Sequence, residues 1–297
     1  MRYDAGEVIT AMVTPFNEDL SIDYKSLEKL INRLIDTGSD AILVAGTTGE
    51  TPTMTHEEEF ELFAFCRKII GNRVKLIMGA GSNSTQTAVL TSKKAKELGA
   101  DAILSVVPYY NKPSQKGMYA HFSEIAKAVD LPIILYNIPG RTGVNMQPAT
   151  IAKLASDFEN IVAVKQSNSD LDLISDMKQL CPKDFAIYSG DDSLTLPMMA
   201  LGAHGVISVA SHLVGSDLKA MINNFKSGNV DKALELHIKL YPVFKKLFMA
   251  PNPVPVKEAL AHFGVIEKYV RKPLVNLDVE ELNELFSVVD KYAYAMK

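Results

Sequence analysis

Cysteine is scarce in this chain of 297 residues: Cys66 and Cys181 are the only two, and neither has neighbours that suggest a metal site. Such sparse usage argues against a disulfide scaffold, suits a reducing compartment and casts each thiol as a small core residue. Clusters of lysine and arginine are also missing. With 31 basic against 35 acidic residues the net charge is −4, and nucleic acid is not an expected partner. The start, Met1-Arg2-Tyr3-Asp4-Ala5-Gly6-Glu7, has no apolar export region, and the most apolar long window, residues 197–214, is broken by Gly202, His204, Gly205 and Ser208. The expectation is a cytoplasmic protein with no membrane partner. No low-complexity tract occurs, and a hydrophobic content of 47% is enough to bury one large core or two ordinary ones.

What is present is a repeat. Short apolar runs begin near Val8, Ala41, Lys75, Ala102, Pro132, Ile161, Phe185 and Gly205, with stretches of helical spacing between them. Eight units of about thirty residues, each long enough for a strand and its crossover helix, predict an α/β fold of the (β/α)₈ barrel type rather than an open doubly wound sheet. Gly38 and Gly99 read as helix C-caps, and Ser84 and Asp191 or Asp192 as N-caps. After the last strand, residues 218–225, 231–248, 256–263 and 279–295 read as amphipathic helices. We therefore expect a barrel over residues 1–225 carrying the active site and a helical domain over 226–297. The segment Pro251-Asn252-Pro253-Val254-Pro255 reads as a stiff extended connector.

In such a barrel, chemistry gathers where strands end. Lys165 closes the unbroken apolar run Ile161-Val162-Ala163-Val164, which reads as a strand buried on both faces. Burial favours the neutral amine, the form that attacks carbonyls, so a Schiff-base lysine competes with one that snorkels to solvent or to a carboxylate. Tyr136 follows Ile133-Ile134-Leu135 on the preceding strand and is a candidate proton carrier. Gly46-Thr47-Thr48-Gly49-Glu50 offers hydroxyls and backbone amides to a carboxylate but lacks the lysine and glycine spacing of a phosphate loop. Arg141, in a Pro/Gly-bounded loop, could grip a carboxylate with both nitrogens. The pair Asp191-Asp192 has no histidine or third carboxylate at ligand spacing, so neither metal nor cofactor is expected.

At these residues the chain resembles the Schiff-base aldolase family that includes dihydrodipicolinate synthases and N-acetylneuraminate lyases. The resemblance spans essentially the whole chain. Its pieces are Gly46 to Glu50, Pro108-Tyr109-Tyr110-Asn111, the run from Tyr136 to Gly143, Val164-Lys165, Ser189 to Asp192, Gly205 to Val209 and Pro251 to Lys257. It implies that Lys165 forms an iminium with pyruvate, that Tyr136 carries protons, and that Thr47 links Tyr136 to Tyr110. Thr48 would hold the pyruvate carboxylate, Arg141 would take the carboxylate of aspartate 4-semialdehyde, and the backbone at Gly190 and Ile207 would line the pocket. In the family Tyr110 comes from a neighbouring subunit, which implies a homo-oligomer, typically a dimer of dimers. The Arg-Thr-Gly of residues 141–143 resembles the synthase branch. The rival readings are a retro-aldol lyase of a sialic or 2-keto-3-deoxy sugar acid and a non-catalytic barrel that binds a keto acid.

The sequence departs from the lysine-inhibited members of the family. Their regulatory site is matched by His56, Asn83 and Tyr109, but Glu59 replaces a second histidine and Thr87 stands where a glutamate would be. Losing that carboxylate removes a charge-assisted bond to an ammonium, roughly 1.5 to 3 kcal/mol, so weak or absent lysine feedback is expected. Gln166 also stands in place of the family's usual glutamate.

Overall fold

The computed structural model describes residues 2–296. Eight strands, β1 (Val8–Ala11), β2 (Ala41–Val44), β3 (Lys75–Gly79), β4 (Ala102–Val106), β5 (Ile133–Asn137), β6 (Ile161–Gln166), β7 (Ala186–Ser189) and β8 (Gly205–Ser208), follow one another in chain order around a closed barrel. The strands are short and almost wholly buried, which is why their sequences are continuous apolar runs instead of alternating ones. Each run lies within two residues of where its apolar character begins.

Helices fill the intervals, and local signals explain their bounds. Helix α1 (Tyr24–Asp36) is capped by Asp23, whose carboxylate accepts from the amides of Lys25 and Ser26. Helix α2 (His56–Ile70) opens with a capping box between Thr55 and Glu58, has glutamates in its first turn, and carries Arg67 and Lys68 in its last. Ser84 caps α3 (Thr85–Glu97), and Ser114 caps α4 (Gln115–Ala128). Gly38 and Gly99 take φ of +101° and +80° just past α1 and α3, so the glycines expected at these ends do the work of reversing the chain. The short helix α5 (Pro139–Thr142) is followed by α6 (Pro148–Asp157), α7 (Asp172–Leu180) and α8 (Thr195–Ala200). Asp191 does stand at the head of a 3-10 turn, Asp192–Leu194, but its side chain makes no capping bond there, contrary to the sequence reading.

Beyond β8 come α9 (Ser211–Lys226), α10 (Val230–Lys246), α11 (Val254–His262) and α12 (Val279–Val289). Two expectations need correction here. The last helix stops at Val289, and the chain continues as the 3-10 stretch Asp290–Met296. The proline-rich segment is a turn followed by helix: Pro255 sits in the first turn of α11, where a missing N–H costs nothing. The chain packs as two compact units: one unites the N-terminal stretch up to Gly6 with Leu76–Ile207, the other Glu7–Lys75 with the segment from Ser208 onward. No helix among the described residues is long and apolar enough to cross a membrane.

Candidate active site

Lys165 is the penultimate residue of β6 and is only 6% exposed. Among the described residues its amine makes no hydrogen bond and no ion pair; it lies 4.5 Å from the ring centroid of Tyr136. The parallel pairing of β5 and β6 sets Tyr136 directly beside Lys165, so both side chains leave the sheet on one face. An aromatic face attracts an ammonium weakly but does not neutralise it as a carboxylate would. The snorkelling alternative is thereby disfavoured: the side chain is buried and has no acidic partner among the described residues.

On the other flank, β7 pairs with β6 so that Lys165 faces Tyr188 and Gln166 faces Ser189. The next residue, Gly190, donates its N–H to the Gln166 carbonyl at 2.8 Å. A Cβ added at Gly190 would come within 1.9 Å of Ser167 Oγ and 3.1 Å of Lys165 Cε. Space beside the lysine therefore requires glycine here. Ser167 is buried, and its hydroxyl has no partner among the described residues. Sequence reasoning passed over it, since nothing in the run Lys165-Gln166-Ser167 says that Gly190 will lie against it.

One layer behind, Asn137 ties down the loop after β5. Its amide donates to Asn145 Oδ1 at 2.7 Å and to Gln166 Oε1 at 3.1 Å, while its own Oδ1 accepts from the Met146 amide at 2.9 Å. Gln166 thus keeps the acceptor role that a glutamate would fill, without the charge. The loop holds α5, whose Arg141 is exposed and whose guanidinium has no hydrogen-bond partner among the described residues. Thr142 Oγ1 donates to the carbonyls of Ile138 and Val144, and Gly143 at φ +74° closes the turn.

In the other compact unit, Thr47–Gly49 form a 3-10 turn just past β2, after Ala45 and Gly46. Thr47 is half-buried and Thr48 is 4% exposed. Thr14 Oγ1 donates to the Gly49 carbonyl at 2.8 Å, and the Asn252 amide donates to Thr48 Oγ1 at 2.9 Å. Glu50 follows in left-handed backbone, φ +60°, and its carboxylate accepts from Lys257 Nζ at 2.7 Å and from the Arg271 amide at 2.9 Å. Lys257 also donates to the Thr14 carbonyl at 2.9 Å. Burial pulls the Lys257 ammonium below its usual pKa, and the Glu50 charge opposes that shift. Asn252 and Lys257 belong to a motif that the sequence reading quoted without assigning either a role.

The remaining expected residues are more dispersed. Ile207 is buried on β8. Tyr109 and Tyr110 occupy the loop after β4, 40% and 90% exposed, with Tyr110 at φ +71°. His56 Nδ1 lies 3.1 Å from Glu59 Oε2, and burial raises the Glu59 carboxyl above its usual pKa while His56 opposes the rise. Asn83 offers its carbonyl to the Asn111 amide at 2.9 Å, and the Thr87 N–H donates to the Ser84 cap. Among the described residues, no group of three or more His, Cys, Asp or Glu side chains could hold a metal ion.

Comparison with known proteins places nearly the whole chain among curated sequences and solved folds. A 4-hydroxy-tetrahydrodipicolinate synthase of Heliobacterium modesticaldum is 50% identical over 287 residues, covering 97% of this chain and 95% of its own. The crystal structure of dihydrodipicolinate synthase from Aquifex aeolicus superposes with a TM-score of 0.96 at 48% identity, covering 98% of this chain and 99% of that one. The enzyme from Cyanidioschyzon merolae, determined with lysine bound, gives a TM-score of 0.94 at 44% identity over 98% of each chain. The family profile of the dihydrodipicolinate synthetases matches residues 4–292, from before the first strand to past the last helix, and this chain belongs to that family.

Proposed function

We propose that the chain is a 4-hydroxy-tetrahydrodipicolinate synthase, a lyase that condenses pyruvate with L-aspartate 4-semialdehyde through a Schiff base on Lys165. The observation that carries the reading is a buried amine with no acidic partner among the described residues, seated over the Tyr136 ring. The amine attacks the ketone carbon of pyruvate, and loss of water leaves an iminium. The iminium draws electrons from the methyl group, a proton departs, and the resulting enamine attacks the aldehyde carbon. Hydrolysis or displacement at the same carbon frees Lys165 for another cycle.

Tyr136 carries the protons, a role supported by its place beside the Lys165 amine on which the iminium would form. Thr47 links it to Tyr110. Thr48 holds the pyruvate carboxylate, and Arg141, without a partner among the described residues, takes the carboxylate of the semialdehyde with its planar fork. Gly190 and Ile207 line the pocket. The exposed, left-handed Tyr110 supports a role across a subunit boundary, and with it a homo-oligomer; the family resemblance is the ground for reading that oligomer as a dimer of dimers in the cytoplasm.

Regulation by lysine is weak or absent in this reading. The Glu59 carboxylate is engaged by His56, and Thr87 brings no charge to meet an ammonium. A coupled assay with pyruvate and aspartate semialdehyde, repeated with excess lysine, tests both points. Turnover with little inhibition is expected. Absence of turnover, or half-inhibition at micromolar lysine, would overturn the corresponding part.

A further inference from the structure

Asn252 stands between α10 and α11, far in sequence from any strand end, yet its buried amide reaches the hydroxyl of Thr48. The direction of this bond matters. A hydroxyl has one hydrogen to give, and Thr48 Oγ1 accepts from Asn252 Nδ2 at 2.9 Å, so the Thr48 proton is left to point elsewhere. Among the described residues no acceptor takes it. The other end of the asparagine, Oδ1, is buried and accepts no hydrogen bond among the described residues. A buried acceptor without a partner is a net cost to folding, so stability alone does not account for this amide.

The surroundings hold the pair rigidly. The turn carrying Thr48 is fixed from below by the Thr14 hydroxyl on the Gly49 carbonyl, and from its C-terminal side by Lys257 on Glu50. Lys257 lies on α11, a few residues after Asn252, so one stretch of chain supplies both the anchor for the turn and the donor for its hydroxyl.

We propose that Asn252 is a positioning residue of the synthase, which by donating to Thr48 Oγ1 commits the threonine proton to the carboxylate of the keto acid. The inference rests on the reading of Thr48 as the group that holds that carboxylate. It makes a directional demand: an amide at position 252 leaves Thr48 a donor, whereas an ionised carboxylate there can only accept and turns the same proton inward.

The test is a mutant cycle on the full-length enzyme with pyruvate as the probe, reading the pyruvate KM, kcat, the semialdehyde KM and the thermal midpoint. Asn252→Ala is expected to raise the pyruvate KM about tenfold, the scale of one charge-assisted hydrogen bond, with kcat and the semialdehyde KM within about twofold. Asn252→Asp, which keeps the shape, is expected to raise it further. In a Thr48→Val background, Asn252→Ala is expected to add less than about twofold, because the group it acts through is gone. A thermal midpoint lowered with the pyruvate KM unchanged, or an undiminished effect in the Thr48→Val background, overturns the proposal. A Thr48→Val enzyme with wild-type pyruvate KM overturns the reading of Thr48 and the proposal together. If Asn252→Ala does not fold, Asn252→Asp decides the matter alone, and a wild-type pyruvate KM in it is contradictory.

Discussion

The Nζ of Lys165 sits 4.5 Å from the centre of the Tyr136 ring, with the two residues paired across β5 and β6. Neighbouring strand ends thus deliver the proposed nucleophile and the proposed proton carrier as a pair, and both side chains are more than nine-tenths buried. Tyr136→Phe keeps the ring and loses the hydroxyl. The variant is expected to form the pyruvate adduct while kcat falls by about two orders of magnitude, as for loss of a general acid and base. Steady-state kinetics with adduct trapping checks this; a kcat within a few-fold of wild type would contradict it.

Gly190 is a question of space. Alanine there would place a carbon 1.9 Å from Ser167 Oγ and 3.1 Å from Lys165 Cε, so either the serine or the lysine must move. Gly190→Ala is expected to lower kcat/KM more than tenfold while costing about 1 to 3 kcal/mol of stability, the usual scale for overpacking. Removing the nearest obstacle with Ser167→Gly in the same chain is expected to restore part of the activity. An additive outcome, measured by kinetics on the double variant, would show that the clash is not what matters.

Lys257 and Glu50 form an ion pair at 2.7 Å with neither side chain exposed. Burial of both charges makes the pair poor evidence for stability but makes breaking it costly. Lys257→Met leaves Glu50 with the Arg271 amide as its remaining donor and is expected to cost about 3 to 5 kcal/mol in urea unfolding. Adding Glu50→Gln is expected to recover a good part of that loss, because the uncompensated charge is gone. A double variant less stable than Lys257→Met would contradict the argument.

Acid sensitivity follows from His212. It is fully buried, its Nε2 accepts from the Val13 amide at 3.1 Å, and its Nδ1 therefore carries the hydrogen that meets the Val209 carbonyl at 2.8 Å. Burial holds its pKa down at about 4, against 6.5 for an exposed histidine. Between those values the unfolded chain binds more protons than the folded one, so stability rises with pH and is lost as pH falls from about 6.5 toward about 4. The loss reaches about 3 kcal/mol from this residue alone. His121, lowered to about 4 by burial, acts in the same direction. Unfolding free energies measured across pH 4 to 7 are expected to show this slope, and to show less of it in His212→Gln.

Much of the fold was legible because eight buried strands must be apolar throughout, and such runs stand out from amphipathic helices. Lys165 stood out for the same reason, as a charge closing an apolar run. The proline segment was misread because proline's fixed φ suits both an extended chain and the first turn of a helix; only the packing of Val254, Val256 and Lys257 chooses the helix. Asn252 escaped because its partner, Thr48, is 204 residues away, and no local pattern encodes a bond of that reach. Ser167 escaped because its meaning depends on a glycine at the end of the next strand.

The proposed function requires that the Lys165 amine bond covalently to a keto acid. Incubating the protein with pyruvate and borohydride, then mapping the reduced adduct by mass spectrometry, tests it directly. One pyruvate-derived mass increment is expected, located on the peptide containing Lys165 and absent from Lys165→Ala. Full turnover by Lys165→Ala, or an adduct found only on other lysines, would contradict it.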